Sequence, residues 1–211
     1  ATSGRDCLWD ASADSLIFKD NAKLICGTGN DLEIYHSGTA SYIVDNGDGD
    51  LILRASDQLK IQETDNGETM AIFNKDGAVE LYYDNVKKIE TTSEGAIISG
   101  TEGQPATLAI YADEGDDNAD RWRLRSETSG NFNIQNYASG GWETAITGIG
   151  NGAVELKYDD NKHFYTRSDG AECTRTGGDA TITVRGKEGY SGIFKLASDD
   201  GDDSGDYVQL K

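Results

Sequence analysis

Apolar and polar residues alternate in short runs along this chain, and each run is closed by Gly, Asn, Asp or Ser. "DLEIYHSG" places Leu32, Ile34 and His36 on one side. "SYIVDNGDGDLILRAS" reads as a strand, an acidic turn and a second strand, and "LKIQETDNGETMAIF" repeats that plan around Asn66-Gly67. "GAVELYYDN" points Val79, Leu81 and Tyr83 one way and Glu80 and Tyr82 the other. "NFNIQNYASGGWETAITG" sets Phe132 and Ile134 in phase and then turns at Gly140-Gly141. A period of two with turn residues at such spacing predicts half-buried strands. The best helical candidate, Asp10 to Leu16, is weak. With 26 Gly and one Pro, the composition also favours turns over helix interiors. The expected fold class is therefore all-β, an elongated repetitive structure of short strands forming a β-helix, a β-prism or small β-sandwich modules.

The pattern is duplicated. "GAVELYYDNVKKIETTSEGA" (residues 77–96) and "GAVELKYDDNKHFYTRSDGA" (residues 152–171) share 12 of 20 positions at an offset of 75. "GQPATLAIYADEG" from Gly103 aligns with "GGDATITVRGKEG" from Gly177, and "DEGDDNADRWRLR" from Asp113 aligns with "DDGDDSGDYVQLK" from Asp199. On this alignment the second copy carries 12 extra residues, "YSGIFKLASDDG", about one strand and a turn. A fainter echo pairs "DNAKLI" from Asp20 with "DNVKKI" from Asp84. Self-similarity of this kind marks stacked or arrayed structure, in which one added unit is tolerated. The expected organisation is an N-terminal β-rich segment (1–64), a first repeat module (65–147) and a second (148–211) that stops short of the first.

A net charge of -19 makes nucleic acid and anionic membranes poor partners. No apolar run approaches the roughly 18 residues of a membrane span, so no membrane insertion is expected. The first ten residues carry neither a basic segment nor an apolar one, so a signal peptide is not expected. The absence of an initial Met points to a fragment or a processed product. Cys7, Cys26 and Cys173 are distant and odd in number, which argues against a disulfide framework or a zinc ribbon and for free thiols.

Candidate chemistry is sparse. His36 and His163 are the only histidines, and His163 aligns with Lys88 of the first copy. No phosphate-binding glycine loop or nucleophile motif is present, so no catalytic residue is assigned. Two acidic loops are the candidate cation sites: Asp113, Asp116, Asp117 and Asp120 in one, and Asp199, Asp202, Asp203 and Asp206 in the other. Ca2+ takes 6–8 oxygens from flexible loops, but the EF-hand spacing fails here. The competing reading is a solvated turn that blunts a sheet edge. Trp122, Tyr137 and Trp142 are candidates for stacking a sugar, against a competing role in packing.

Taken together, "LWDASADSLIFKDNAKLICGTGNDLEIYHSGTASYIVDNGDGDLIL", "GAVELYYDNVKKIETTSEGAIISG" and "ATLAIYADEGDDNADRWRLR" resemble repeat modules of tail-fibre and related virion structural proteins of marine bacteriophages, notably those infecting cyanobacteria. The resemblance covers most of the chain. It implies a β-rich homotrimeric appendage of the virion, assembled in the host cytoplasm, touching other tail proteins and standing near a host surface glycan. It supplies no catalytic residues, and the histidine-x-histidine metal motif of some fibre tips is absent. Two other functions stay open: a receptor-binding or lectin-like module and, ranked third, a polysaccharide depolymerase.

Overall fold

The computed structural model describes residues 6–189 and Ser191. The chain is all-β: seventeen strands and two short 3-10 turns are found among the described residues. All the sheets are antiparallel and open. By contacts the chain divides into two units, Ala1–Leu59 and Lys60–Lys211.

In the first unit, β1 (Cys7–Asp10) and β2 (Ser15–Phe18) form a hairpin, and β3 (Leu24–Cys26), β4 (Leu32–His36) and β5 (Ser41–Asp45) form a three-stranded meander. The weak helix expected over Asp10–Leu16 is instead the hairpin turn. Asp10 accepts hydrogen bonds from the Ser12 amide (2.9 Å) and hydroxyl (2.7 Å), and Asp14 adopts a left-handed φ of 48°. A short Asx-type turn of this kind competes with helix and wins where flanking residues can pair. The strand expected after the acidic turn is also missing: residues 51–55 carry no strand, and Leu51, Ile52 and Leu53 are exposed. Alternation alone does not make a strand without a partner for its backbone groups.

The second unit holds a five-stranded sheet in the order β10-β9-β8-β7-β6 and a seven-stranded one running β11 to β17 in sequence. The first is built from β6 (Gln58–Gln62), β7 (Thr69–Asn74), β8 (Val79–Tyr83), β9 (Val86–Thr92) and β10 (Gly95–Ile98). The second is built from β11 (Ala106–Tyr111), β12 (Arg121–Ser126), β13 (Phe132–Asn136), β14 (Glu143–Gly148), β15 (Val154–Tyr158), β16 (Asn161–Arg167) and β17 (Gly170–Cys173).

The duplication in the sequence is a duplication in space across β7–β10 and β14–β17. The β8–β9 turn is Asp84-Asn85, with φ of 51° and 57°, and the β15–β16 turn is Asp159-Asp160, with the same two values. Two consecutive left-handed residues make the type I′ turn that suits the twist of a hairpin. Asn85 Oδ1 accepts the Thr69 amide at 2.8 Å, and 75 residues later Asp160 Oδ1 accepts the Thr144 amide at 2.6 Å. The Val79 amide donates to Thr91 Oγ1 at 2.9 Å, as the Val154 amide does to Thr166 Oγ1 at 3.0 Å. Gly95 and Gly170 close the next hairpins at φ of 149° and 145°, a conformation side-chain-bearing residues rarely adopt. The correspondence thus reaches back beyond Gly77 into β7. The segment aligned with β11 in the second copy, residues 180–185, carries no strand, and the residues aligned with its partner β12 lie outside those described. The upstream echo is a turn as well, with Asn21 left-handed at 62°.

Register assigns the faces. Leu108, Leu124, Ile134, Ile146, Leu156, Phe164 and Cys173 are successive cross-strand partners through all seven strands of the larger sheet. Ala71, Leu81, Ile89 and Ile98 form the matching row in the smaller one. Arg123, Arg125, Glu155, Lys157 and Glu172 alternate with this row and stand on the opposite face. There the polar groups satisfy one another. Lys87 bridges Glu80 (3.3 Å) and Glu90, and Glu155 pairs with Lys157 and Lys162, each at 3.3 Å. Thr147 donates to Asn133 Oδ1 at 2.9 Å.

The buried residues are few. Among the described residues only Ala22 and Ala71 are buried apolar side chains, while Gln135 and Thr147 are buried polar ones. Leu108 is 43% exposed, Leu156 43% and Phe164 39%. Within one chain, these sheets have a filled polar face and an uncovered apolar one.

Candidate functional site

The first acidic loop joins β11 to β12. Asp113, Glu114 and Gly115 are consecutively left-handed, at φ of 39°, 64° and 73°. Gly115 is buried, and a Cβ there would lie 2.9 Å from the Tyr111 ring, so the loop is folded tightly onto the strand. Arg121 Nε donates to the Gly115 carbonyl at 2.7 Å, and the Ala112 amide donates to the Asp120 carbonyl at 3.0 Å. This frame gathers Asp116, Asp117 and Asp120, whose carboxylate oxygens lie within 4.8 Å of one another. Asp113 stands outside that cluster. Asp116 and Asp117 are exposed and Asp120 half-buried, so the trio offers three oxygens to a hard cation that wants six or more, with water left to supply the rest. Asp199, Asp202, Asp203 and Asp206 lie outside the described residues.

The three aromatic candidates separate. Tyr137 and Trp142 form a tilted pair with centroids 5.2 Å apart. Arg123 lies 4.1 Å over the Trp142 ring and Arg121 5.6 Å over Tyr137. The guanidinium of Arg123 also donates from Nε to Gln135 Oε1 at 2.6 Å, and Gln135 Nε2 donates to Thr144 Oγ1 at 3.0 Å. Desolvation, with Arg125 nearby, lowers the Arg123 pKa from its ordinary value. Cation–π contact of this kind occupies ring faces that a sugar would need. Trp122, next in sequence to Arg123, pairs with Ile110 and Asn136 and points to the opposite face. The three therefore do not make one platform.

Sequence reasoning missed an aromatic feature that recurs. Tyr83 and Tyr158 end equivalent strands, immediately before the type I′ turns, and each is 75% exposed. A cleft beside Tyr158 is lined by Asn136, Glu143, Thr144, Lys157 and Asp159. Tyrosine at the same place in both copies was the available signal. His163 meets Tyr158 edge-on at 6.0 Å, and His36 Nδ1 lies 3.1 Å from Ser41 Oγ. All three cysteines are free, Cys7 and Cys26 exposed and Cys173 half-buried. No helix among the described residues is long and apolar enough to cross a membrane.

No protein-family model, curated protein or solved structure matches this chain.

Proposed function

We propose that this chain is a non-enzymatic structural segment of a bacteriophage tail fibre or related virion appendage, built from copies of itself and supporting attachment to the host. The observation that carries the reading is the module made twice, with the same turn, bulge and amide-capping bonds at a 75-residue offset. A catalytic site is built once, whereas repetition lengthens a scaffold. Three copies would present their sheets as the sides of a β-prism, with charged faces to solvent. Neighbouring tail proteins and a host surface glycan are the partners this implies, and nucleic acid and membrane lipid are not. Assembly would take place in the host cytoplasm and the product would reside on the virion. Antiserum raised against the recombinant chain is expected to label the tail appendages of virions by immuno-electron microscopy. Labelling of the capsid, or of no part of the particle, would overturn the assignment.

The second reading, a carbohydrate-recognition module, is favoured by the exposed Tyr158 beside a polar cleft. A ring face flanked by side-chain acceptors and donors suits a pyranose. Glycan-array binding lost on Tyr158→Ala would support it. The loop cluster of Asp116, Asp117 and Asp120 would be the place for any Ca2+.

A further inference from the structure

We propose that the cross-strand apolar row from Leu108 to Cys173 is the surface on which further copies of this chain dock, sheet face against sheet face. This deepens the reading of a self-assembling segment and rests on it for the identity of the occupant.

Four observations point to a second copy rather than an unrelated partner. First, the face is almost free of charge: on the larger sheet, register places one charged side chain of the described residues there, Glu143, at its edge opposite Asn136. The Leu108 row contains no charged side chain, and neither does the neighbouring row through Ala106, Ser126, Phe132 and Val154. In a chain of net charge -19, two copies can meet without forcing carboxylates together only across such a face. A basic partner would instead call for acidic groups here. Second, the opposite face carries its own ion pairs and hydrogen bonds, Arg125 Nε being the one buried polar side-chain atom of the described residues that lacks a hydrogen bond, though Glu127 lies 3.1 Å away, so the apolar face is the one left to be covered. Third, the row is duplicated in register: Ala71, Leu81, Ile89 and Ile98 repeat it in the smaller sheet. Ile98 lines the same groove as Leu108, Leu124 and Phe132, so the two rows meet. A surface that recurs with the module lets copies stay in register along the array. Fourth, the size is right. Leu108, Ile110, Trp122, Phe132, Val154, Leu156 and Phe164, between 39% and 55% exposed, leave uncovered on the order of 600 Å2 of the roughly 800 Å2 that each partner gives a standard interface. Facing sheets would stand about 10 Å apart, the ordinary separation of packed sheets.

Cys173 ends the row and supplies a probe that needs no mutation. Sedimentation velocity of the full chain is expected to give a mass of more than one copy. At that concentration, maleimide should modify Cys173 at least tenfold more slowly than at a dilution that yields monomer, while exposed Cys7 and Cys26 react at the same rate in both. Leu156→Glu should weaken association at least a hundredfold and abolish the protection, whereas Lys157→Ser, one residue away on the opposite face, should change neither. Circular dichroism checks that each variant keeps its strands. If the chain assembles but Cys173 is labelled equally fast at both concentrations, or Lys157→Ser breaks the assembly instead, the docking face is wrong and self-assembly stands. A monomer at micromolar concentration would overturn the docking surface and self-assembly together, and immunolabelling of virions would still decide the appendage assignment on its own.

Discussion

Replacing Asp160 tests why the module repeats as it does. Its carboxylate reaches back 16 residues to cap the Thr144 amide near the start of β14, 2.6 Å away, so one turn residue fastens three consecutive strands. Its backbone is also left-handed, at φ 57°. Two costs can therefore be separated. Asp160→Gly removes the acceptor and also the Cβ, and so relieves the left-handed backbone. The bond is exposed, so its loss is worth about 1 kcal/mol, at the low end for a charged acceptor. Asp160→Ala removes the acceptor and keeps the Cβ that Asp160 already holds in the left-handed region, so it should cost about 1 kcal/mol and stand about 1–2 kcal/mol below the Gly variant. Asn85, with φ 57° and a 2.8 Å bond to the Thr69 amide, should show the same order, with a slightly smaller loss from the acceptor because it is neutral. The measurement is urea unfolding at one fixed protein concentration, since association would otherwise shift the midpoint. Hydrogen exchange at the Thr144 amide should quicken in both Asp160 variants. Equal stabilities for Ala and Gly at either position would refute the conformational argument. Unchanged exchange at Thr144 would refute the capping argument.

The acid limb of stability should depend on Glu172, whose pKa is lowered from the ordinary 4.5 by the Tyr165 hydroxyl and then by Arg167. A depressed carboxyl contributes stability that is complete above its ordinary value and lost as pH falls from about 4.5 through the depressed one. Tyr165→Phe should raise the Glu172 pKa and flatten that limb, as followed by NMR titration of the carboxyl. Glu80, lowered mainly by the Tyr82 hydroxyl, should respond to Tyr82→Phe in the same direction. Gln135→Leu leaves Arg123 Nε without its buried acceptor and should cost about 1–3 kcal/mol in chemical unfolding, with Gln135→Glu recovering part of the loss. Ca2+ should bind the Asp116–Asp117–Asp120 cluster no more tightly than millimolar, because three mostly exposed carboxylates leave most of the coordination to water; a micromolar site in calorimetric titration would contradict this.

Sequence by itself determined the class and the repeat. Alternation at a period of two is a local property, so β4, β6, β7 and β8 could be placed from apolar phase and turn residues alone. Asn66-Gly67 and Gly140-Gly141 announced their turns for the same reason, with Gly67 and Gly140 left-handed at φ of 72° and 88°. Tertiary structure decided what pairs with what, because pairing lies between residues distant in sequence. Residues 51–55 alternate no worse than β5, yet they have no ladder to join. The two faces were also decided there. Strict alternation would set Lys87 beside Ile89 and Lys162 beside Phe164. Instead Leu81 pairs with Ile89 and Tyr82 with Lys87, and Leu156 pairs with Phe164 and Lys157 with Lys162, which leaves Lys88 and His163 as single extra residues. One extra residue reverses the phase of everything before it. That is how Lys87 and Lys162 leave the apolar row and reach Glu80 and Glu155. A bulge arises only when a second strand fixes the register, so the division into one charged and one largely apolar face is a property of the folded sheet.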